Sequence, residues 1–228
     1  MTKFFKPDAR LSAVAGLVCG RFLIDVGTDH AILPIYLCLA GKIDSAIASD
    51  IRKDPLENAG RNISEHGLSG KISTVLTPGL CGMDGFSPSD IAIAGMGGIM
   101  IRDIISDSDV ARRSHLILQP MTHAHILREY LCENGFEIAE ERLAKADGRV
   151  YVVLSARYTG EKGNYSPAEI YAGRFEETYK KENAALCSEH YGQLLATLKK
   201  KAEAGRDAGA AELYKEIDAM KKEILCND

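Results

Sequence analysis

The chain has 228 residues, 28 Lys+Arg against 32 Asp+Glu and a formal net charge of −4, with 46% hydrophobic and 26% charged residues. That composition excludes disordered, collagenous and membrane-spanning classes, since no apolar run approaches the roughly 18 residues that a bilayer crossing requires. The mild acidity also disfavours a surface that coats nucleic acid along its whole extent, while leaving room for a local RNA-binding face. The opening Met1-Thr2-Lys3-Phe4-Phe5-Lys6-Pro7 has too short an apolar part for a signal peptide, so the expected setting is cytoplasmic. Cys19, Cys38, Cys81, Cys132, Cys187 and Cys226 form no CxxC pair, which argues for buried, reduced thiols rather than a disulfide framework or zinc ribbon.

In chain order, Asp8–Val18 reads as a helix closed by Gly20. Short apolar runs then alternate with helical stretches. The runs are Phe22–Val26, Ala46–Asp50, Ile72–Leu76, Ile91–Ala94 and Leu116–Leu118, each patterned as a strand covered on both faces. Between them, Ala31–Ala40, Pro55–His66, Ile99–Ile105 and Ala124–Asn134 carry apolar residues at helical spacing. Phe136–Lys145 and Val150–Ala156 flank Asp147-Gly148, a hairpin signal. The pattern predicts an α/β fold whose parallel strands end in an antiparallel hairpin, the Rossmann-like class I methyltransferase sheet. After the polar stretch Thr159–Asn164 the composition turns to Ala, Glu, Lys and Leu. Cys187, Tyr191, Leu194 and Leu198, and then Leu213, Ile217, Met220 and Ile224, are spaced as two helical seams joined near Gly205–Gly209. The expected division is residues 1–158 for the α/β domain and 159–228 for a helical hairpin, its first arm beginning near Pro167 and carrying Lys199-Lys200-Lys201.

Chemistry is expected at the carboxyl ends of the strands. Asp25-Val26-Gly27-Thr28-Asp29-His30-Ala31 follows the first run: a glycine there lets the backbone turn beneath a ligand, and an acid at a strand end can anchor polar groups. Asp50 ends the second run, where a carboxylate can accept hydrogen bonds from both ribose hydroxyls of a nucleoside cofactor, or act only as a helix N-cap or turn residue. Ala94-Gly95-Met96-Gly97-Gly98 ends the fourth and leaves backbone open to a crevice. His123 and His125 lack the partners a metal site needs, so no metal is expected.

Together the GTDHA and AGMGG blocks, Leu116-Ile117-Leu118-Gln119-Pro120 and the Glu140–Tyr151 segment resemble the TrmK-type bacterial tRNA adenine-22 N1-methyltransferases. The resemblance implies S-adenosyl-L-methionine as cofactor, tRNA as partner and a helical tRNA-contacting C-terminal domain. It places Arg10, Asp25, Gly27, Asp29 and His30 beside the methionine portion, Asp50 and Ile51 at the ribose and adenine, and Gly79, Ala94, Gly95 and Met96 along the same crevice. Asp29 and His30 are the catalytic candidates; Gly97, Gly98, Gln119 and Pro120 are the substrate-binding candidates, with Gln119 facing an adenine edge. Ile32, Met121 and Thr77-Pro78 depart from the family pattern, and the Pro78 change removes an acid expected to meet the cofactor adenine. Two other readings fit parts of the sequence: an NAD-binding oxidoreductase, opposed by the missing GxGxxG, and a catalytically silent RNA-binding module. A monomer or weak dimer, without membrane contact, is expected.

Overall fold

The apolar runs form parallel strands β1 (Phe22–Val26), β2 (Ser45–Asp50), β3 (Ile72–Leu76), β4 (Asp90–Gly97) and β5 (His115–Thr122). The hairpin β6 (Phe136–Ala146) and β7 (Arg149–Tyr158) completes a seven-stranded sheet of order β3-β2-β1-β4-β5-β7-β6. The computed structural model describes residues 7–106, 108–203 and 209–226, without the side chains of 177, 178 and 224–226. Met1–Lys6, Gly205 and the Ile224 and Cys226 side chains lie outside the described residues.

Alternate residues of each central strand serve opposite layers. Leu23, Ala92 and Ile117 face α1 (Ala9–Leu17), α2 (Ile32–Leu39) and α3 (Lys53–Glu65). Ile24, Ile91, Ile93, Leu116 and Leu118 face α4 (Gly98–Ser106), α5 (Asp109–Arg112) and α6 (Ala124–Glu133). Covering on both sides explains why these strands read as continuous apolar runs. Among the described residues no helix is long and apolar enough to cross a membrane.

Four local expectations are corrected. Gly20 does not close α1, which ends at Val18 in extended backbone; it is a glycine because a Cβ would overlap Ser89, and its N–H donates to Asp90 Oδ2 at 2.6 Å. The four-residue helix α5, capped by the Ser108 hydroxyl, was not legible as a separate element. Cys19 and Cys81 are exposed, whereas Cys38, Cys132 and Cys187 are buried free thiols. The segment from Pro167 is not one long arm: α7 (Pro167–Ala172) is separated by Gly173 from α8 (Glu177–Glu182), and α9 (Ala184–Glu203) begins after Asn183.

The β6–β7 loop is the expected Asp147-Gly148 pair, both with positive φ (49° and 72°), the conformation that matches the twist of a tight hairpin. A register shift between Ile138 and Glu140 leaves Ala139 unpaired and changes which residues point inward. Phe136 and Ile138 are buried before it; Glu141 and Leu143 are buried after it. Glu141 thereby enters the core, where it pairs with Arg128 of α6 at 2.8 Å, both side chains being only 1% exposed.

α9 and α10 (Ala210–Cys226) pack antiparallel, Gly192 lying opposite Lys221. Cys187, Tyr191, Leu195, Leu198 and Ile217 join the same apolar cluster as the sheet face, so the hairpin rests on the α/β domain. Within this contact His190 Nε2 donates to the Ala172 carbonyl at 2.7 Å, and burial pushes the imidazole down to about 4 from 6.5. The unfolded chain binds a proton near pH 6.5 and the folded chain only near 4, so this stability is complete above 6.5 and is lost as pH falls toward 4, by about 3 kcal/mol. His190→Gln, which keeps a donor, is expected to lose less stability than the wild type between about pH 7.5 and 4.5 in urea melts. Equal losses would remove this assignment.

Candidate cofactor and substrate crevice

The chain leaves β1 for β2 and β3 on one side, then returns to place β4 on the other side of β1. Helices on either side of that switch diverge and leave a crevice outside the carboxyl ends of β1 and β4, the place where open α/β sheets bind ligands. Two adjoining hollows of about 860 and 650 Å³ share Gly27, Asp50, Ile51, Met96 and Met100.

At the end of β1, Gly27 and Thr28 donate their N–H groups to the Ser49 carbonyl at 2.8 and 2.9 Å, turning the chain tightly over β2. Gly27 has φ 73°, and a Cβ there would overlap the Met96 methyl group. Asp25 is 6% exposed; burial pushes its carboxyl up to about 6, against the opposing effect of the Thr28 hydroxyl, which donates to it at 2.7 Å. His30 and Ala31 both have positive φ (59° and 54°), and the Asn62 amide holds the His30 carbonyl at 2.9 Å. Thr28 and Asn62 are therefore loop-fixing residues that the sequence did not single out. Thr28 sits inside the recognised block, whereas nothing local marks Asn62.

Asp29 lines the crevice with its side chain 81% exposed and lies 3.3 Å from His30 Nε2. His30 is half-exposed and does not line either hollow, so its side chain reaches the site only through Asp29. Asp50 does not cap α3, whose N-cap is Arg52 with no side-chain cap bond; it fixes the turn ahead of that helix. Its Oδ1 accepts from the Arg52 N–H at 2.7 Å, and among the described residues nothing donates to its Oδ2. Ile51 and Met100, 66% and 56% exposed, leave an uncovered apolar wall beside it. Gly79 borders the smaller hollow at φ 57°, its side packed on Ile104.

At the end of β4 the pairing with β5 shifts between Ala94 and Met96. Gly95, at φ 81°, forms the bulge, and its N–H turns to Gln119 Oε1 at 3.0 Å. The same oxygen accepts from Arg10 Nη1 at 2.7 Å, which holds the guanidinium over the larger hollow. The expectation that Gln119 meets an adenine edge is corrected. Gln119 is fully buried, its oxygen is occupied by Arg10 and Gly95, and its Nε2 donates to the Pro120 carbonyl at 3.1 Å. Gly98 and Pro120 are also buried and line neither hollow. Gly98 is a glycine because a Cβ would overlap the His123 carbonyl oxygen, so it packs α4 against the β5–α6 loop. Gly97 is half-buried and likewise outside both hollows. His125 stacks on Tyr171 at 5.0 Å and joins α6 to α7.

The sheet order, the glycine turn after β1 and the acidic ends of β1 and β2 around one crevice define a Rossmann-like methyltransferase. A family model described as a methyltransferase domain matches residues 8–154. The tRNA (adenine(22)-N(1))-methyltransferase of Bacillus subtilis is 34% identical over 171 residues, 74% of this chain and 72% of that protein. Among solved structures, a Streptococcus pneumoniae protein in complex with S-adenosyl-L-methionine is 30% identical, with 95% of this chain and 100% of that chain covered and a TM-score of 0.84. M. capricolum TrmK, in complex with S-adenosyl-homocysteine, is 25% identical, with 97% of each chain covered and a TM-score of 0.75. The chain belongs to the tRNA (adenine(22)-N(1))-methyltransferase family.

Proposed function

We infer that this protein is an S-adenosyl-L-methionine-dependent enzyme that methylates N1 of adenosine 22 in the D-arm of tRNA. The reading is carried by the meeting of the β1, β2 and β4 ends at one crevice, in a chain 34% identical to the B. subtilis enzyme. The donor set fits the cofactor: an uncommitted carboxylate oxygen on Asp50, a guanidinium on Arg10, a turn too tight for a side chain at Gly27 and an apolar wall at Ile51. Bound S-adenosyl-L-methionine supplies a methyl group on a sulfonium, and its transfer needs no metal.

In this reading Asp50 Oδ2 accepts from the ribose hydroxyls, Ile51 and Gly79 border the adenine, and Asp25 and Arg10 meet the polar methionine end. Ala94, Gly95 and Met96 form the floor between them. Adenine N1 already carries an in-plane lone pair, so alignment against the methyl group supplies most of the acceleration, worth several kcal/mol. Positive charge develops on the base, and Asp29, exposed at the rim and steadied by His30, stabilises it. The target nucleotide leaves its stack to enter. Residues 1–158 carry the chemistry and residues 159–228 hold tRNA, with Lys199 and Lys200 exposed on α9. The protein acts as a monomer or weak dimer in the cytoplasm.

Unmodified tRNA incubated with labelled S-adenosyl-L-methionine is expected to gain N1-methyladenosine in the D-arm, read by nucleoside mass spectrometry. Asp29→Ala is expected to lower kcat about tenfold or more while cofactor affinity stays within about twofold. Cofactor binding by the wild type without RNA methylation would overturn the substrate assignment. Full activity in Asp29→Ala would overturn the role of that carboxylate.

A further inference from the structure

At the amino-terminal ends of the central strands, opposite the crevice, three different ligand types converge. Cys19 sits between α1 and β1, Asp90 begins β4 and His115 begins β5. Cys19 Sγ lies 3.5 Å from Asp90 Oδ1 and 3.5 Å from His115 Nδ1, and these last two atoms are 2.6 Å apart. We propose that Cys19 Sγ, Asp90 Oδ1 and His115 Nδ1 form a zinc-binding site, with a fourth position open to water beside the exposed Cys19.

The geometry is close to what the metal demands. Tetrahedral zinc with bonds of about 2.3 Å to sulfur and 2.0 Å to nitrogen or oxygen sets sulfur about 3.5 Å from each light ligand, and nitrogen about 3.3 Å from oxygen. Both sulfur separations already have that value. Only Asp90 Oδ1 and His115 Nδ1 must part, by about 0.7 Å, as the hydrogen bond between them gives way to the ion. The outer partners that orient metal ligands are also in place: His115 Nε2 lies 2.7 Å from Ser155 Oγ, and Asp90 Oδ2 accepts from the Gly20 N–H at 2.6 Å. Burial and the neighbouring Asp90 carboxylate push the Cys19 thiol up, against the opposing effect of Arg157 Nη2 at 3.5 Å from Sγ, so the ion itself has to displace the thiol proton. Binding a neutral His115 releases the Cys19 thiol proton to solvent and moves the imidazole proton from Nδ1 to Nε2, where the Ser155 hydroxyl oxygen accepts it. The cation then clamps the α1–β1 connection to β4 and β5, a stabilising role separate from methyl transfer. No sequence spacing announces the site, because Asp90 lies 71 residues from Cys19 and 25 from His115.

The purified full chain, stripped of metal, is titrated with zinc against a chromophoric chelator and separately with cobalt(II). The expected result is one equivalent of zinc, a thiolate-to-cobalt charge-transfer band with tetrahedral ligand-field bands, and a higher Tm with zinc. Cys19→Ser, at an exposed position, is expected to weaken zinc binding about tenfold or more and to abolish the cobalt thiolate band, whereas Cys81→Ser, which removes another exposed thiol, leaves both intact. No binding by the wild type, an octahedral cobalt spectrum without the thiolate band, equal affinity in Cys19→Ser, or equal loss in Cys81→Ser would each overturn the proposal.

Discussion

Arg128→Met and Glu141→Leu are each expected to cost about 3–5 kcal/mol in urea unfolding, while the double variant recovers a large part of that loss. Each single change leaves a charge in the core with nothing to neutralise it, since both side chains are only 1% exposed. The double change removes both charges and offers apolar volume in their place. Recovery stays incomplete because the pair also serves the backbone. Arg128 Nη1 donates to the Ile170 and Tyr171 carbonyls at 3.2 and 3.3 Å, and Glu141 Oε1 accepts from the Arg174 N–H at 3.0 Å. Those carbonyls lie in the last turn of α7, where a helix has no internal donors left to offer. The ion pair thus ties α6, β6 and the α7–α8 connection at one point. Single variants that unfold within about 1 kcal/mol of the wild type would show that the pair is not desolvated.

Asp50→Ala is expected to weaken S-adenosyl-L-methionine binding about 100-fold, close to 2.7 kcal/mol, by isothermal titration calorimetry. Two charge-assisted hydrogen bonds to the ribose would be lost from a carboxylate that is 7% exposed. The same variant also loses the acceptor for the Arg52 N–H ahead of α3, a separate cost of about 1 kcal/mol that appears in Tm. Asp50→Asn separates the two effects: it retains an oxygen for Arg52 and loses the charge, so affinity falls less and Tm remains nearer the wild type. Unchanged affinity in Asp50→Ala would remove Asp50 from the cofactor site. A fall in Tm alone would leave it only the role of fixing the turn ahead of α3.

Short-range chemistry was legible from residues close together in the chain. The alternation of apolar runs with helical segments located every strand, with ends matching to within four residues, and Asp147-Gly148 located the hairpin, because turn and strand preferences act over a few residues. Asp25, Gly27, Asp50 and Gly95 were legible as crevice residues because parallel topology brings strand ends together wherever crossovers reverse. Gln119 was placed on the right strand but given the wrong partner. Its commitment to Arg10 and Gly95 depends on a bulge that redirects a single N–H.

The amino-acid sequence by itself determined the α/β class, the terminal hairpin, the family and the set of strand ends that border the crevice, since each follows from periodicity, turn chemistry or a contiguous block. The tertiary structure alone decided which polar groups are committed. The bulge at Ala139 turned Glu141 inward to meet Arg128, the buried Gln119 was drawn onto Arg10, and Cys19, Asp90 and His115 were gathered from distant segments. A one-residue change of strand phase reverses which face a side chain occupies, and burial then compels each polar group to find whatever partner the packing supplies.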